Sequence, residues 1–304
     1  MKDDQASFTA FMVAYMRAYH STHETPKIFD DFLAYDLIPE EKRSLIEQYL
    51  TPWVKQVNDY EDTELCFNQK MISEFLMQGI NNVASRARYA EDNLAKAIQQ
   101  GVKQYVILGA GMDTFAFRRP EMLEKLEVFE VDHPATQEFK LHRLAELGWK
   151  HPAKLHFIPI DFTKESLVTA LTSSSFYDPD VKSFFSWLGV INFLSRDEAF
   201  ATLRSITEIA PTGSMVVFDY LDTDAFIPEK MSPQMREFKD FLLKIDEPII
   251  TGFNPATLAE EFACLGFQLN ENLSPDDING CYLQGRTDGY HAQEHGHFAC
   301  AVVE

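Results

Sequence analysis

The segment between Gln104 and Asp132 constrains the fold of this chain more than any other part of the sequence. The apolar run Tyr105–Leu108 is typical of a buried strand, and Gly109 and Gly111 follow it directly. A second apolar run then ends in Asp132. This order predicts a strand, a tight turn, a helix and a second strand that ends in a carboxylate, which is the pattern of an open α/β sheet.

The same segment predicts a binding site for a nucleoside-bearing cofactor. In open α/β sheets, such ligands bind beyond the carboxyl ends of the strands. The glycines on either side of Ala110 allow the backbone to turn tightly and to approach a ligand closely. Asp132 lies 21 residues after Gly111, where a carboxylate can accept hydrogen bonds from ribose hydroxyls. A tight turn followed by a strand-end carboxylate, with no ligand, is the less favoured interpretation.

Two residues after the glycines distinguish between classes of cofactor. The dinucleotide fingerprint requires a third glycine, or an alanine, where this chain has Thr114. Asp113 lies at the start of the expected helix and would repel a pyrophosphate, but it suits a cofactor that carries an ammonium group and no phosphate. S-adenosylmethionine is such a cofactor. A nicotinamide-dependent oxidoreductase is the alternative that the glycine turn leaves open.

The charge of the chain bears on its partners. Lysine and arginine number 27 against 47 aspartates and glutamates in 304 residues, which gives a formal net charge of −20. Because no basic run offsets this charge locally, we expect a small-molecule substrate and no nucleic-acid partner.

The termini and the cysteines bear on location. The first residues do not resemble a signal peptide, and no apolar stretch reaches the ~20 residues that span a bilayer. The four cysteines are scattered, which suits reduced thiols. We therefore expect a cytoplasmic enzyme with no membrane partner, whereas the oligomeric state stays open.

Hydrophobic periodicity divides the chain into a helical part and an α/β part. Residues 1–100 are expected to form an N-terminal helical cap, because apolar residues recur at helical spacing from Phe8 to Tyr19. Residues 101–304 alternate strands and helices, which predicts a Rossmann-like, seven-stranded, mostly parallel sheet. The segment 222–251 interrupts this alternation and is expected to form a helical lid.

Six of the strands can be placed: Tyr105–Leu108, Val128–Val131, His156–Ile160, Phe184–Leu188, Met215–Tyr220 and one near His297–Val303. The expected helices include Glu41–Leu50, Glu64–Met77, Pro134–Leu147, Lys164–Leu171, Arg196–Ile209 and Met235–Lys244. The last strand follows a short turn with no room for a crossover helix. It should therefore pair antiparallel, at or near the edge of the sheet.

Five motifs in this order carry a resemblance to a known family. They are Ser85–Tyr89, Val106–Thr114, Phe129–Pro134, Pro159–Phe162 and Phe185–Val190. Together they resemble the leucine carboxyl methyltransferase-like family of S-adenosylmethionine-dependent methyltransferases, and we place the chain in its small-molecule O-methyltransferase branch. The resemblance implies O-methylation of a small molecule or of a carboxylate. A non-catalytic S-adenosylmethionine-binding protein is the remaining alternative.

The resemblance and the residue chemistry together give the expected site. An arginine of the Ser85–Tyr89 motif pairs with the methionine carboxylate in similar proteins, with Arg86 as first choice. Asp132 is implied to bind the ribose, Asp161 and Phe162 the adenine, and Trp187 to wall the site. The full expected cofactor-binding set is Arg86, Arg88, Gly109, Ala110, Gly111, Asp113, Asp132, His133, Asp161, Phe162 and Trp187.

Two further groups of residues are candidates for chemistry. Asp219 and Tyr220, at the end of the fifth strand, are the expected catalytic residues that orient or polarise the methyl acceptor. The run from His291 to His297 could hold a metal through its three histidines and a glutamate. Exposed loop histidines are the favoured interpretation of that run, so no metal site is expected.

Overall fold

In the computed structural model of the chain, residues 5–55, 64–287 and 289–304 are described, without the side chains of 48–55 and 64–78. The helices are α1 (Phe8–His23), α2 (Ala34–Leu37), α3 (Glu40–Lys55), α4 (Glu64–Gln99), α5 (Phe115–Arg118), α6 (Pro134–Glu146), α7 (Leu167–Thr172), α8 (Arg196–Ile209), α9 (Pro233–Lys244), α10 (Leu258–Ala263) and α11 (Pro275–Ile278). The strands are β1 (Gln104–Leu108), β2 (Glu127–Asp132), β3 (Leu155–Pro159), β4 (Ser183–Trp187), β5 (Met215–Leu221), β6 (Phe267–Leu273) and β7 (Gly296–Val303).

The strands form one sheet of seven in the order β3-β2-β1-β4-β5-β7-β6. The first five are parallel, whereas β7 pairs antiparallel with both β5 and β6. The predicted Rossmann-like sheet and its antiparallel last strand are confirmed. Strand β6, which occupies the edge beyond β7, is not among the predicted strands.

Side chains that alternate along the strands build two hydrophobic cores on opposite faces of the sheet. One core contains Tyr105, Ile107 and Val217 and is covered by α1 and α4. The other contains Val106 and Phe218 and is covered by helices that include α8 and α10. This division decides which strand residues can reach a site on the α1 side.

The two helical segments around the site follow from local signals. The Ser7 side chain caps α1 by accepting a hydrogen bond from the Ala10 amide. The Ser232 side chain caps α9 by accepting one from the Met235 amide. The predicted helix in the lid segment is confirmed, with its start at Pro233. Helix α7 begins at Leu167 rather than at the predicted Lys164.

Across the described ranges of the chain, no helix is both long and apolar enough to cross a bilayer.

Candidate functional site

A cavity of about 510 Å³ lies at the carboxyl ends of the parallel strands, beneath α1, α4 and α9. A volume of this size is typical of small-molecule and cofactor sites. The structure brings most of the expected residues to its wall: Arg86, Gly109, Ala110, Gly111, Asp113, Asp132, His133, Asp161, Phe162 and Asp219.

The turn after β1 needs both of its glycines. Gly109 and Gly111 have φ angles of 70° and 52°, in the left-handed region that other residues avoid. A Cβ atom on Gly109 would lie 2.2 Å from Cγ2 of Val190, and one on Gly111 would lie 3.1 Å from Cβ of Ala10 in α1. The turn is therefore packed tightly between the loop after β4 and the N-terminal helix.

Asp132 holds this turn from the end of β2. Its carboxylate accepts hydrogen bonds from the Gly111 amide and, at 2.6 Å, from the His133 amide. Burial raises the pKa of Asp132, although these two amides oppose the rise. The carboxylate thus lies at the cavity wall, held by two backbone amides.

Asp113 closes the turn on its other side. Its side chain accepts a hydrogen bond from the Phe115 amide at 2.7 Å, and its carbonyl accepts one from Lys140 at 2.7 Å. Lys140 also pairs with Glu130, and burial raises the pKa of Glu130 to about 7. Glu130 lies behind the turn and is not among the residues that line the cavity.

Asp161 and Phe162 lie at the end of β3, near His133. Asp161 accepts hydrogen bonds from the Thr163 amide and hydroxyl at 3.0 and 2.6 Å and pairs with Lys164 at 2.9 Å. Burial alone would raise its pKa, but these partners outweigh it and hold the pKa at about 2. The carboxylate is therefore ionised and caps its own turn rather than α7.

Arg86 and Asp219 form a buried ion pair in the cavity wall. Arg86 Nη1 lies 2.8 Å from Oδ2 of Asp219, and Oδ1 of Asp219 accepts a hydrogen bond from the Gly189 amide at 2.5 Å. Each carboxylate oxygen thus accepts one hydrogen bond within the protein. The expected role of Asp219 in orienting or polarising the acceptor stays a prediction.

Two of the expected cofactor-binding residues, Arg88 and Trp187, lie outside the cavity wall. Arg88 is half exposed and pairs with Asp92 one turn along α4, at 2.8 Å, away from the cavity wall. Trp187 is fully buried in the core on the opposite face of the sheet, because its neighbour Ser186 is the residue of β4 that faces the cavity.

The Tyr220 side chain also points to that opposite face. Its hydroxyl donates a hydrogen bond to Asn272 at 2.7 Å, and burial raises its pKa. Tyr220 is nevertheless among the residues that line the cavity, and its expected catalytic role stays a prediction.

A comparison with known protein families places the chain, including most of the residues that line the cavity, in one of them. The family model described as leucine carboxyl methyltransferase matches residues 10–207, which is well over half of the chain. The chain belongs to the leucine carboxyl methyltransferase family. The predicted family is thereby confirmed, and the matched region includes the glycine turn, Asp132, Asp161 and Arg86.

Individual relatives agree with this family. The Bacillus subtilis (strain 168) protein YktD, which carries the name of an S-adenosyl-L-methionine-dependent methyltransferase, is 36% identical over 99% of both chains. A Mycolicibacterium smegmatis protein with a name of the same kind is 30% identical over 76% of this chain and 72% of its own length. The protein is an S-adenosylmethionine-dependent methyltransferase, and these findings give no support to the oxidoreductase alternative.

Solved structures agree at the level of the fold. A DUF574 family protein from Streptomyces avermitilis MA-4680 superimposes with a TM-score of 0.57 at 14% identity, over 82% of this chain and 94% of its own. A protein from Thermobifida fusca YX, whose structure carries the name of a methyltransferase, superimposes with a TM-score of 0.56 at 13% identity, over 88% of this chain and 92% of its own.

The methyltransferase cavity also contains residues that sequence reasoning missed. In the cap, Arg17 donates to the Met112 carbonyl at 2.7 Å and pairs with Asp31 at 2.7 Å, and Asp31 accepts from Thr114 at 2.6 Å. These contacts bind the cap to the glycine turn. The signal in the sequence that could have identified Arg17 is its charge, since it lies in a helix whose neighbouring residues are mainly apolar.

Glu247 is a second missed residue. Although it belongs to the lid segment, its carboxylate accepts hydrogen bonds from the amides of Phe8 and Thr9 at 2.7 and 3.0 Å. The hydroxyls of Ser7 and Thr9 add contacts at 3.1 and 2.5 Å. A lid carboxylate thus caps the first turn of α1.

The histidines near β7 are paired rather than exposed. His295 and His297 are buried, at 3.0 and 3.7 Å from the two oxygens of Asp222, the first residue of the lid segment. The interpretation as exposed loop histidines is wrong for these two. Among the described residues, no group of three or more potential ligands is placed to hold a metal ion.

Proposed function

We propose that the protein transfers the methyl group of S-adenosylmethionine to an oxygen atom of a small molecule, with a carboxylate oxygen as the favoured acceptor. The observation that carries this proposal is one continuous cavity with two kinds of wall. Turn residues and carboxylates line it at the strand ends. Apolar side chains line it beneath α1 and α9: Met12, Val13, Met16, Met235, Phe238, Phe241, Leu242 and Ile249.

The polar wall suits the cofactor. Asp132 would accept the ribose hydroxyls, and Asp161 with Phe162 would contact the adenine. Arg86 would pair with the methionine carboxylate, and Asp113 would face the ammonium group. The bound cofactor supplies an activated methyl carbon on its sulfonium.

Most carboxylates that line the cavity are already paired or hydrogen-bonded within the protein, which favours an acceptor that needs no general base. Asp31 and Asp219 pair with arginines, and Asp161 pairs with Lys164. Asp113 and Asp132 accept backbone amides, and Glu247 caps α1. An ionised carboxylate is already nucleophilic, whereas an alcohol or phenol would benefit from a base.

The apolar wall favours the same chemistry. Methyl transfer from a sulfonium to a carboxylate breaks the C–S bond and forms a C–O bond, so that a cation and an anion become a neutral thioether and a neutral ester. Excluding water strengthens the attraction between these charges, and the enzyme then needs mainly to hold donor and acceptor in line. Methyl transfer to a neutral hydroxyl gains less from such a wall.

The test uses the protein with methyl-labelled S-adenosylmethionine and small apolar carboxylic acids, each matched with its primary alcohol. We expect label in the acids, released by mild alkali as methyl esters are. Base-stable label in the alcohols would indicate ether formation and overturn the carboxylate assignment. Label in neither set, with cofactor binding intact, would count against O-methylation of this substrate class.

The cofactor assignment has a separate test. We expect Asp132→Asn to weaken S-adenosylmethionine binding in calorimetry by at least about tenfold, because a ribose hydrogen bond to a charged acceptor contributes roughly 1.5–3 kcal/mol. Asp92→Asn, an exposed carboxylate of α4 outside the cavity, is the matched control. Equal affinity of the Asp132 and Asp92 variants would remove Asp132 from the cofactor site.

A further inference from the structure

We propose that Asp219 is a positioning residue, which holds the Arg86 guanidinium so that its free edge faces the carboxylate of the cofactor. This inference rests on the proposed function, in which Arg86 pairs with that carboxylate. It is an alternative to the catalytic role that the sequence predicts for Asp219.

The contacts of Asp219 fix one edge of the guanidinium. Nη1 of Arg86 lies 2.8 Å from Oδ2 of Asp219, and both side chains are about nine-tenths buried. Because Oδ1 accepts the Gly189 amide at 2.5 Å, the carboxylate cannot rotate without losing that bond. Asp219 therefore ties an arginine of α4 to the loop after β4.

Gly189 supplies the surface against which the guanidinium lies. A Cβ atom at this position would be 2.5 Å from Nη2 of Arg86 and 2.9 Å from both Cζ and Nη1. Only a glycine leaves the plane of the guanidinium flat against the backbone, and its φ of 68° also favours glycine. With the guanidinium packed against Gly189 and Nη1 on Asp219, the remaining donors are available to a ligand in the cavity that Arg86 lines.

Carboxylate recognition is the readout that separates this role from a structural one. Decarboxylated S-adenosylmethionine keeps the adenosine, sulfonium and ammonium groups and lacks only the carboxylate. The ratio of the two dissociation constants therefore reports the carboxylate contact. A loss of fold stability would weaken both ligands alike.

The experiment measures both dissociation constants by calorimetry for the full chain and its variants. We expect the wild type to prefer S-adenosylmethionine by about tenfold or more, and Arg86→Met to abolish the preference. Asp219→Asn keeps the size of the side chain but turns an amide donor toward Arg86 or Gly189, so we expect the preference to fall about fivefold or more. Arg88→Met and Asp92→Asn, which alter the neighbouring Arg–Asp pair on α4, should leave it unchanged.

Two outcomes would overturn the proposal. If Arg86→Met abolishes the preference and Asp219→Asn retains it, Asp219 has no positioning role. If Arg86→Met retains the preference, Arg86 does not hold the carboxylate. Should Asp219→Asn fail to fold, Arg86→Lys tests the same point, because one ammonium group cannot replace the fork that serves Asp219 and the cofactor together. A failure of the wild type to bind either ligand would instead overturn the proposed function.

Discussion

Gly109 is required both by its backbone angle and by its neighbour Val190. A Cβ atom there would lie 2.2 Å from Cγ2 of Val190, and the φ angle is 70°. We expect Gly109→Ala to shift the turn that lines the cavity and to lower S-adenosylmethionine affinity more than about tenfold, because sub-ångström displacements of a packed turn disrupt several contacts at once. Calorimetry measures the affinity.

Gly101 separates steric clash from backbone strain. Its φ angle is 95°, but nothing lies within 4 Å of an added Cβ atom. We expect Gly101→Ala to lower the free energy of unfolding by roughly 1 kcal/mol and to leave cofactor affinity unchanged. Equal losses of affinity in the two variants would show that the contact with Val190 is not what matters at position 109.

The sequence was sufficient to place the turn residues at the cavity, because backbone constraints fix their positions, whereas their cofactor-binding roles stay predictions. Gly109, Gly111 and Asp132 occupy fixed positions around one strand–turn–helix unit, and the cavity contains all three. Tyr220 and Asp219 were treated alike, although adjacent residues of a strand face opposite sides of the sheet. The alternation of side chains between the two faces of a strand can be predicted from the sequence, whereas the sequence does not show which face carries the site.

At the scale of elements, Glu247 joins the lid segment to the cap. It is almost fully buried, and it accepts from the amides of Phe8 and Thr9. We expect Glu247→Ala to lower the free energy of unfolding by about 1–3 kcal/mol and to increase hydrogen exchange in the first two turns of α1, because it removes an anionic helix cap.

Glu146→Ala is the matched control for this cap. Glu146 pairs with Arg143 at 2.9 Å on an exposed helix surface. A solvent-exposed pair of this kind contributes at most about 0.5 kcal/mol. If Glu247→Ala were no more disruptive than Glu146→Ala, the lid and the cap would not be coupled through Glu247.

The start of the lid segment is held by a titratable pair. The hydrogen bond to Asp222 raises the pKa of His295 above its ordinary value of 6.5, and Ser232 of the lid segment donates to the same ring at 3.4 Å. Burial opposes ionisation of Asp222, but His295 and His297 hold the pKa of Asp222 well below its usual range. Each of these two pKa shifts favours the ionised form of its group, so that together they stabilise the charged pair of His295 and Asp222.

The sign of each shift gives the pH window. His295 contributes stability that is complete below its unfolded pKa of 6.5 and is lost as the pH rises through its higher folded value. Asp222 contributes above its unfolded value of 3.8 and loses that contribution only in stronger acid. The pair of His295 and Asp222, which holds the start of the lid segment, should therefore contribute most to stability from mildly acidic to neutral pH.

We expect hydrogen exchange of residues 222–232, corrected for its intrinsic pH dependence, to increase as the pH rises above neutrality. His295→Gln should remove most of this pH dependence. His156→Gln alters a histidine that pairs with Glu127 at 2.8 Å, far from the lid in the fold, and serves as control. A pH dependence that persists in His295→Gln would assign it to another group.

Element prediction failed where local signals were weak. The edge strand β6 has the sequence Phe267-Gln-Leu-Asn-Glu-Asn-Leu273, rich in residues that strands disfavour, and its pairing with β7 shifts register between Leu269 and Glu271. Its place is set by pairing with β7, which no local pattern reveals. Strands inside the sheet are mainly apolar and were placed within a few residues.

At the scale of the whole molecule, the negative charge extends into the site. The described residues that line the cavity include eight carboxylates: Asp31, Glu91, Asp113, Asp132, Asp161, Asp219, Glu247 and Glu294. They include three guanidinium groups, from Arg17, Arg86 and Arg118. Together with the net charge of −20, this places a negative potential around the cavity.

This potential should act on substrate and product cofactor differently. S-adenosylmethionine carries a net positive charge, because its sulfonium and ammonium groups outweigh one carboxylate. S-adenosylhomocysteine lacks the sulfonium charge and is neutral overall. The field should therefore favour binding of the methyl donor and assist release of the demethylated product.

Added salt offers the measurement, since screening acts over a Debye length of about 8 Å at physiological ionic strength. Between low and high concentrations of sodium chloride, we expect S-adenosylmethionine affinity to fall several-fold, mainly through a slower association rate, and S-adenosylhomocysteine affinity to change less. Calorimetry and stopped-flow binding give the two quantities. An equal salt dependence for both ligands would mean that the local pairs, Arg86 with Asp219 among them, neutralise the site before the wider field reaches it.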